Sequence, residues 1–293
     1  VVRDRLESQT AVLVCAGRAA AHGRTAVAQF SDPTAQVLLP QDARVRVADY
    51  RAGRMPSGGR ARLEYAMLRA TEALMVPRTV AIDEAIRAAP APQVVILGAG
   101  LDGRAWRLPE LAGAVVFEVD HPASQQAKQA RAAGLTVVAG RVRFVSVDFA
   151  RDDLDDQLAR AGHDRAVPTV WIWEGVVPYL TGAQVRASLA VVAGRSAPAS
   201  RLVIAYVAPS LVRFVGRRLL RLLLRGGGRD ILGEEPQHSF YRAPRMRDLL
   251  GEYNFAVVSD RDLIDIARSL AADTTAMGSF ARAGRIVLAE RPN

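Results

Sequence analysis

Gly98-Ala99-Gly100-Leu101-Asp102-Gly103 places three glycines in the spacing of a nucleotide-binding turn. Glycine lets a backbone approach a ligand closely, and an acid about twenty residues further on can accept hydrogen bonds from ribose hydroxyls. Asp120 stands at that distance. Asp102 lies inside the turn itself, where a dinucleotide would set its pyrophosphate, and a carboxylate there repels phosphate. A sulfonium ligand such as S-adenosylmethionine carries no phosphate and brings an ammonium, so acids around the turn suit it. The same turn without any cofactor is the bland alternative.

These residues need a sheet to hold them. Val94–Leu97 reads as a buried strand and Ala114–Val119 as a second one ending on Asp120, with a helix between. Arg143–Val147, ending at Asp148, Thr169–Trp173, ending at Glu174, and Leu202–Val207 continue the pattern, with helices at Ser124–Ala133, Asp152–Ala161 and Gln184–Ala193. Phe255–Ser259 and Arg285–Ala289 complete it. Strands alternating with helices predict an α/β fold, a doubly wound, mostly parallel seven-stranded sheet. Ligands of such sheets bind outside the carboxyl ends of the strands. Asp102, Asp120, Asp148 and Glu174 therefore converge on one crevice.

Upstream, Thr10–Ala28, Leu63–Met75 and Arg78–Ala89 read as helices, with Asp32 capping the turn after the break at Phe30–Pro33 and a loop over Arg51–Gly59. The expected organisation is an N-terminal helical cap over 1–92, an α/β core over 93–208, an inserted helical lid over 209–254, and closing strands over 255–293. In Arg213–Arg229 an arginine recurs every fourth residue beside a run of leucines, followed by Gly226–Gly228. This stripe reads as an ordinary surface helix, with a lid, a membrane-surface helix or a dimer contact as functional alternatives.

Composition narrows the classes. The 293 residues are 50% hydrophobic, enough for a full core. The net charge is +9, and Lys128 is the only lysine. Aromatics make up only 6% and the arginines are scattered among acids, which disfavours nucleic acid as a partner. No run is long enough to span a bilayer and no signal peptide is visible. The single cysteine, Cys15, excludes an internal disulfide framework and fits a reducing cytoplasm. The histidines His22, His121, His163 and His238 show no metal-ligand spacing, so no metal is expected. His163 reads as surface loop. His238 is the best candidate general base among them, and Tyr179 is placed to line an acceptor pocket. No hydrolase triad or P-loop is legible.

The segments LGAGLDGRAWRL, FEVDHP, VSVDF and EGVVPYL occur in this order. Together they resemble the leucine carboxyl methyltransferase family of class I S-adenosylmethionine-dependent methyltransferases, and within it the bacterial O-methyltransferase branch. The resemblance extends to Phe30–Pro33, Leu38–Pro40, Arg78-Thr79, Ile82-Asp83 and Gly233–Pro236. It implies that Arg78 pairs with the methionine carboxylate of the cofactor and that Gly98 and Gly100 meet it through backbone. It further implies that Asp120 holds the ribose, Asp148 and Phe149 the adenine, and Glu174 the amino or sulfonium end. Arg18 is similar to a basic residue that reaches the same carboxylate, with a different spacing to Asp32-Pro33. Ile96 departs from the acid that many such enzymes carry two residues before the first glycine. Arg104 and Arg107 are expected in packing or salt bridges. The expected activity is methyl transfer to a carboxylate or hydroxyl oxygen of a small-molecule acceptor, and a homo-oligomer is compatible with it. An NAD(P)-dependent oxidoreductase and a non-catalytic binding protein on the same fold are the rival readings.

Overall fold

The computed structural model describes residues 8–149, 151–209 and 237–292, with backbone alone at 279 and 280. The arginine-striped segment Arg213–Arg229, most of the expected lid over 209–254, and Gly233–Pro236 lie outside the described residues.

Seven strands form one sheet: β1 (Gln93–Leu97), β2 (Val115–Asp120), β3 (Arg141–Ser146), β4 (Thr169–Glu174), β5 (Arg201–Val207), β6 (Ala256–Asp262) and β7 (Gly284–Glu290). Their spatial order is β3-β2-β1-β4-β5-β7-β6. The first five are parallel, and β7 runs antiparallel between β5 and β6. The strand order reverses direction between β1 and β4, which opens a crevice at their carboxyl ends.

The described helices are α1 (Gln9–Ala21), α2 (Ala35–Leu38), α3 (Gln41–Arg51), α4 (Gly59–Ala88), α5 (Arg104–Arg107), α6 (Pro122–Ala132), α7 (Leu154–Arg160), α8 (Gly182–Gly194), α9 (Ala243–Glu252) and α10 (Leu263–Ser269). β1 is buried along its whole length, and its alternation divides the core. Val94 and Ile96 face a cluster that includes Cys15, Leu38, Ile82 and Ile264. Val95 and Leu97 face another, with Trp171, Trp173, Leu189 and Leu249. The sheet is thus covered on both faces, as a parallel sheet requires.

Several elements differ from the sequence expectation. The two helices expected on either side of Pro77 are one helix of 30 residues, α4. An interior proline removes a hydrogen bond and typically costs about 3 kcal/mol. Here Met75, Val76, Pro77 and Val80 are all buried, and their packing carries the helix through. After the glycine turn the expected helix is only one turn, α5, because Leu108 precedes Pro109 and is extended. His163 is buried rather than in a surface loop. Its Nε2 lies 3.1 Å from Thr169 Oγ1, and its ring packs against Phe117 and Trp171.

Candidate active site

A cavity of about 260 Å³ opens at the β1/β4 switch point. Its walls include Arg18, Arg78, Gly98, Gly100, Asp102 and Asp120, with Phe149, Glu174 and Tyr179 completing the set that matters here. Seven of the eight residues expected to hold a cofactor are therefore brought together. Asp148 is the exception. It does not line this cavity, and its carboxylate stands 3.7 Å from Arg151 Nε.

The glycine turn is tightly organised. Gly98 has φ +67°, and a side chain there would set its Cβ 2.2 Å from Val176 Cγ2. Its N–H and that of Ala99 donate to the Val119 carbonyl at 2.8 and 3.0 Å. The Gly100 N–H donates to Asp120 Oδ2, and the His121 N–H to Asp120 Oδ1 at 2.6 Å. Burial raises the Asp120 pKa, and these two backbone donors oppose that rise. The backbone donors of Gly98, Ala99 and Gly100 are thus already satisfied by the protein.

Asp102 does not present a bare carboxylate to the crevice. Its Oδ1 accepts from the Arg104 N–H at 2.8 Å, and its Oδ2 pairs with the Arg104 guanidinium. Arg104 also reaches Asp83 at 2.7 Å and Glu174 at 2.9 Å. Arg107 reaches Asp83 at 2.7 Å, and Arg18 pairs with Asp32 at 2.7 Å. Arg18 Nη2 also donates to the Leu101 carbonyl at 2.6 Å, tying α1 to the turn. The ring of acids expected from the sequence is therefore interleaved with arginines. The physical reason is burial: carboxylates this deep need partnered cations.

Arg78 and Glu174 form a nearly buried ion pair in the cavity wall, with Nε and Oε1 2.7 Å apart. Burial alone would raise the Glu174 pKa. The guanidinium groups of Arg78, Arg104 and Arg18 outweigh it and hold Glu174 far below the usual carboxylate range.

Tyr179 lines this cavity and also a second one of about 160 Å³ beside it, and its hydroxyl lies 3.4 Å from Thr10 Oγ1. His238 is exposed, lines neither cavity, and donates its backbone N–H to the Pro178 carbonyl at 2.7 Å. The structure does not bring it to the site. Sequence reasoning missed Ser8, Thr10, Ala11 and Val14, which close the crevice from the α1 side. Only tertiary packing carries that information. Among the described residues no group of His, Cys, Asp and Glu could hold a metal ion, and no helix is long and apolar enough to cross a membrane.

A family model described as leucine carboxyl methyltransferase matches residues 11–193. The chain belongs to the leucine carboxyl methyltransferase family. A Mycobacterium sp. (strain JLS) relative, named "Putative S-adenosyl-L-methionine-dependent methyltransferase", is 36% identical over 197 residues, covering 66% of this chain and 64% of the relative. A similarly named Streptomyces coelicolor protein is 42% identical over 132 residues, 44% of this chain and 46% of that protein. The matched segments thus span less than two thirds of these members' length. Among solved structures, a Bordetella parapertussis protein described as a "possible exported protein" superimposes with TM-score 0.56 at 16% identity, covering 97% of this chain and 96% of that one. An O-methyltransferase family protein from Burkholderia thailandensis gives TM-score 0.51 at 12% identity over 90% and 75% of the two chains. These two likenesses concern the fold of the family member described here.

Proposed function

We propose that this chain is an S-adenosylmethionine-dependent methyltransferase that acts on an oxygen of a small molecule. One observation carries the reading: a nearly buried Arg78–Glu174 ion pair, one cation and one anion, lies in the wall of the crevice. A zwitterionic amino-acid end, with one carboxylate and one ammonium, complements that pair. A guanidinium fork suits the carboxylate. Asp120 would accept from the ribose hydroxyls and Phe149 would pack on the adenine. Gly98 and Gly100 would meet the ligand through the backbone they present in the crevice wall.

The same geometry disfavours a dinucleotide. A pyrophosphate needs free backbone N–H groups at the glycine turn, and here Gly98, Ala99 and Gly100 have spent theirs within the protein. The helix after the turn has four residues, too short to offer a strong positive end.

When bound, S-adenosylmethionine would supply an electrophilic methyl group to an acceptor oxygen, with its sulfur keeping the electrons of the S–CH₃ bond. The protein's part is alignment and exclusion of water. Orientation of this kind can contribute on the order of 7–11 kcal/mol. A carboxylate acceptor is already ionised and needs no base, whereas a hydroxyl must lose a proton. Tyr179 lines both cavities and is placed to contact either kind of acceptor.

The test uses methyl-labelled S-adenosylmethionine with a panel of small carboxylic acids, phenols and amines. Label in base-labile esters or in ethers supports oxygen transfer. Label confined to amines contradicts it.

A further inference from the structure

The second cavity differs from the first in charge. The cofactor crevice has Asp102, Asp120 and Glu174 in its wall. The described wall of the second cavity holds two guanidinium groups, Arg78 and Arg285, and no carboxylate. Much of the remaining surface is apolar: Leu74, Met75, Val207, Leu263 and Ile286.

Arg285 is held rigidly. Its Nε donates to Asp260 Oδ1 at 2.9 Å and lies 3.1 Å from the Tyr206 hydroxyl. Its Nη2 donates to the Asp260 carbonyl at 3.0 Å. Tyr206 in turn donates to Asp260 Oδ2 at 2.7 Å. Asp260 is nearly buried and lies outside the cavity wall, at 5% side-chain exposure against 20% for Arg285. Burial, followed by the hydrogen bond to Asp260, pushes the Tyr206 phenol above its ordinary range, so it stays a protonated donor. This leaves Arg285 Nη1 with no hydrogen-bond partner among the described residues, on a guanidinium whose other two nitrogens are fixed.

We infer that the second cavity is the acceptor pocket and takes a small, apolar-bodied carboxylic acid, with Arg285 as the anchor for its carboxylate. Arg285 lines only the second cavity, whereas Tyr179, Arg78, Thr10, Val14 and Gly175 line both. A carboxylate on Arg285 therefore sits at the end away from the cofactor crevice. The atom to be methylated is a second oxygen, at the Tyr179 end. The acceptor is thus a bifunctional molecule, a hydroxy acid or a diacid, with one oxygen to be modified and one charge to hold. Asp260 and Tyr206 are positioning residues that fix the Arg285 fork. This inference rests on the reading of the first cavity as a site for S-adenosylmethionine.

The test is calorimetric titration of the protein saturated with S-adenosylhomocysteine. The probes are 4-hydroxybenzoate and its uncharged counterpart 4-hydroxybenzamide. A charge-assisted hydrogen bond gives the acid a preference of roughly tenfold or more over the amide in the unaltered protein. Arg285→Gln abolishes that preference and leaves S-adenosylhomocysteine affinity within about threefold, consistent with its place outside the first cavity. Equal binding of acid and amide by the unaltered protein, or no binding of the acid, overturns the inference whether or not the variant folds. Retention of the preference in Arg285→Gln overturns it as well. If S-adenosylhomocysteine itself fails to bind, the reading of the first cavity fails and this one falls with it; if it binds and the acid shows no preference, only the anchor is refuted.

Discussion

Asp120 has a structural task as well as its proposed one. It fixes the Gly100 and His121 N–H groups while lying in the crevice wall. Because an ionised carboxylate has about four acceptor sites, two backbone donors leave capacity for a ribose diol. Asp120→Ala should weaken S-adenosylhomocysteine binding by roughly tenfold to a hundredfold, read by calorimetry, with a smaller effect on melting. Unchanged affinity would falsify the ribose role. Arg78→Ala separates the two ends of the ligand. It should cost S-adenosylhomocysteine roughly tenfold or more and leave methylthioadenosine, which lacks the carboxylate, nearly unaffected. Equal losses for both ligands would show that Arg78 does not read the carboxylate. Of the site, the glycine turn and three of the four acids, Asp102, Asp120 and Glu174, were legible because each follows a strand in sequence; Asp148 follows one too and lies outside the cavity wall. Salt bridges at Arg104 and Arg107 were legible too, but Asp83 and Asp32, which complete that network, were not, since they come from elements that only the fold brings near.

At the scale of elements, the strands were the most legible, since β-branched runs bounded by Pro, Gly and Asp carry their own signal. Helix α3 was not foreseen: QDARVRVADYR is mostly polar, and it buries only Ala43, Val47 and Tyr50. The unity of α4 across Pro77 was hidden for the opposite reason, because local proline chemistry argues for a break that burial overrides. Strand β2 and helix α6 are joined by a pair no local pattern announced. The sole lysine, Lys128, is buried and bonds both carboxylate oxygens of buried Glu118, at 2.8 and 2.7 Å. Its ammonium also lies 5.1 Å from the Trp106 ring. Lys128→Met leaves the Glu118 carboxylate alone in the core and should destabilise the fold by about 3–5 kcal/mol, measured by urea unfolding. The double variant Lys128→Met with Glu118→Gln should recover part of that loss. A single variant as stable as the unaltered protein would show that Glu118 is carried neutral.

For the molecule as a whole, His163 sets a pH limit. Burial, followed by the nearby Arg195, lowers its pKa from 6.5 to about 4. Between those values the unfolded chain holds a proton that the fold does not, so stability is full above pH 6.5 and falls as pH drops toward 4. The loss is on the order of 2–3 kcal/mol. Denaturant unfolding at pH 7.5 and 4.5 should show it, and His163→Gln should narrow the difference between the two pH values. An equal difference in both proteins would assign the acid sensitivity elsewhere. The sheet reversal, the nearly buried Arg78–Glu174 pair and the satisfied glycine turn together support the proposed crevice for an adenosyl amino acid without phosphate. Calorimetric titration with S-adenosylhomocysteine, set beside NADH and NADPH, tests this most directly. Saturable one-to-one binding of S-adenosylhomocysteine with no heat from either dinucleotide is the predicted result; tight dinucleotide binding with no response to S-adenosylhomocysteine would contradict it.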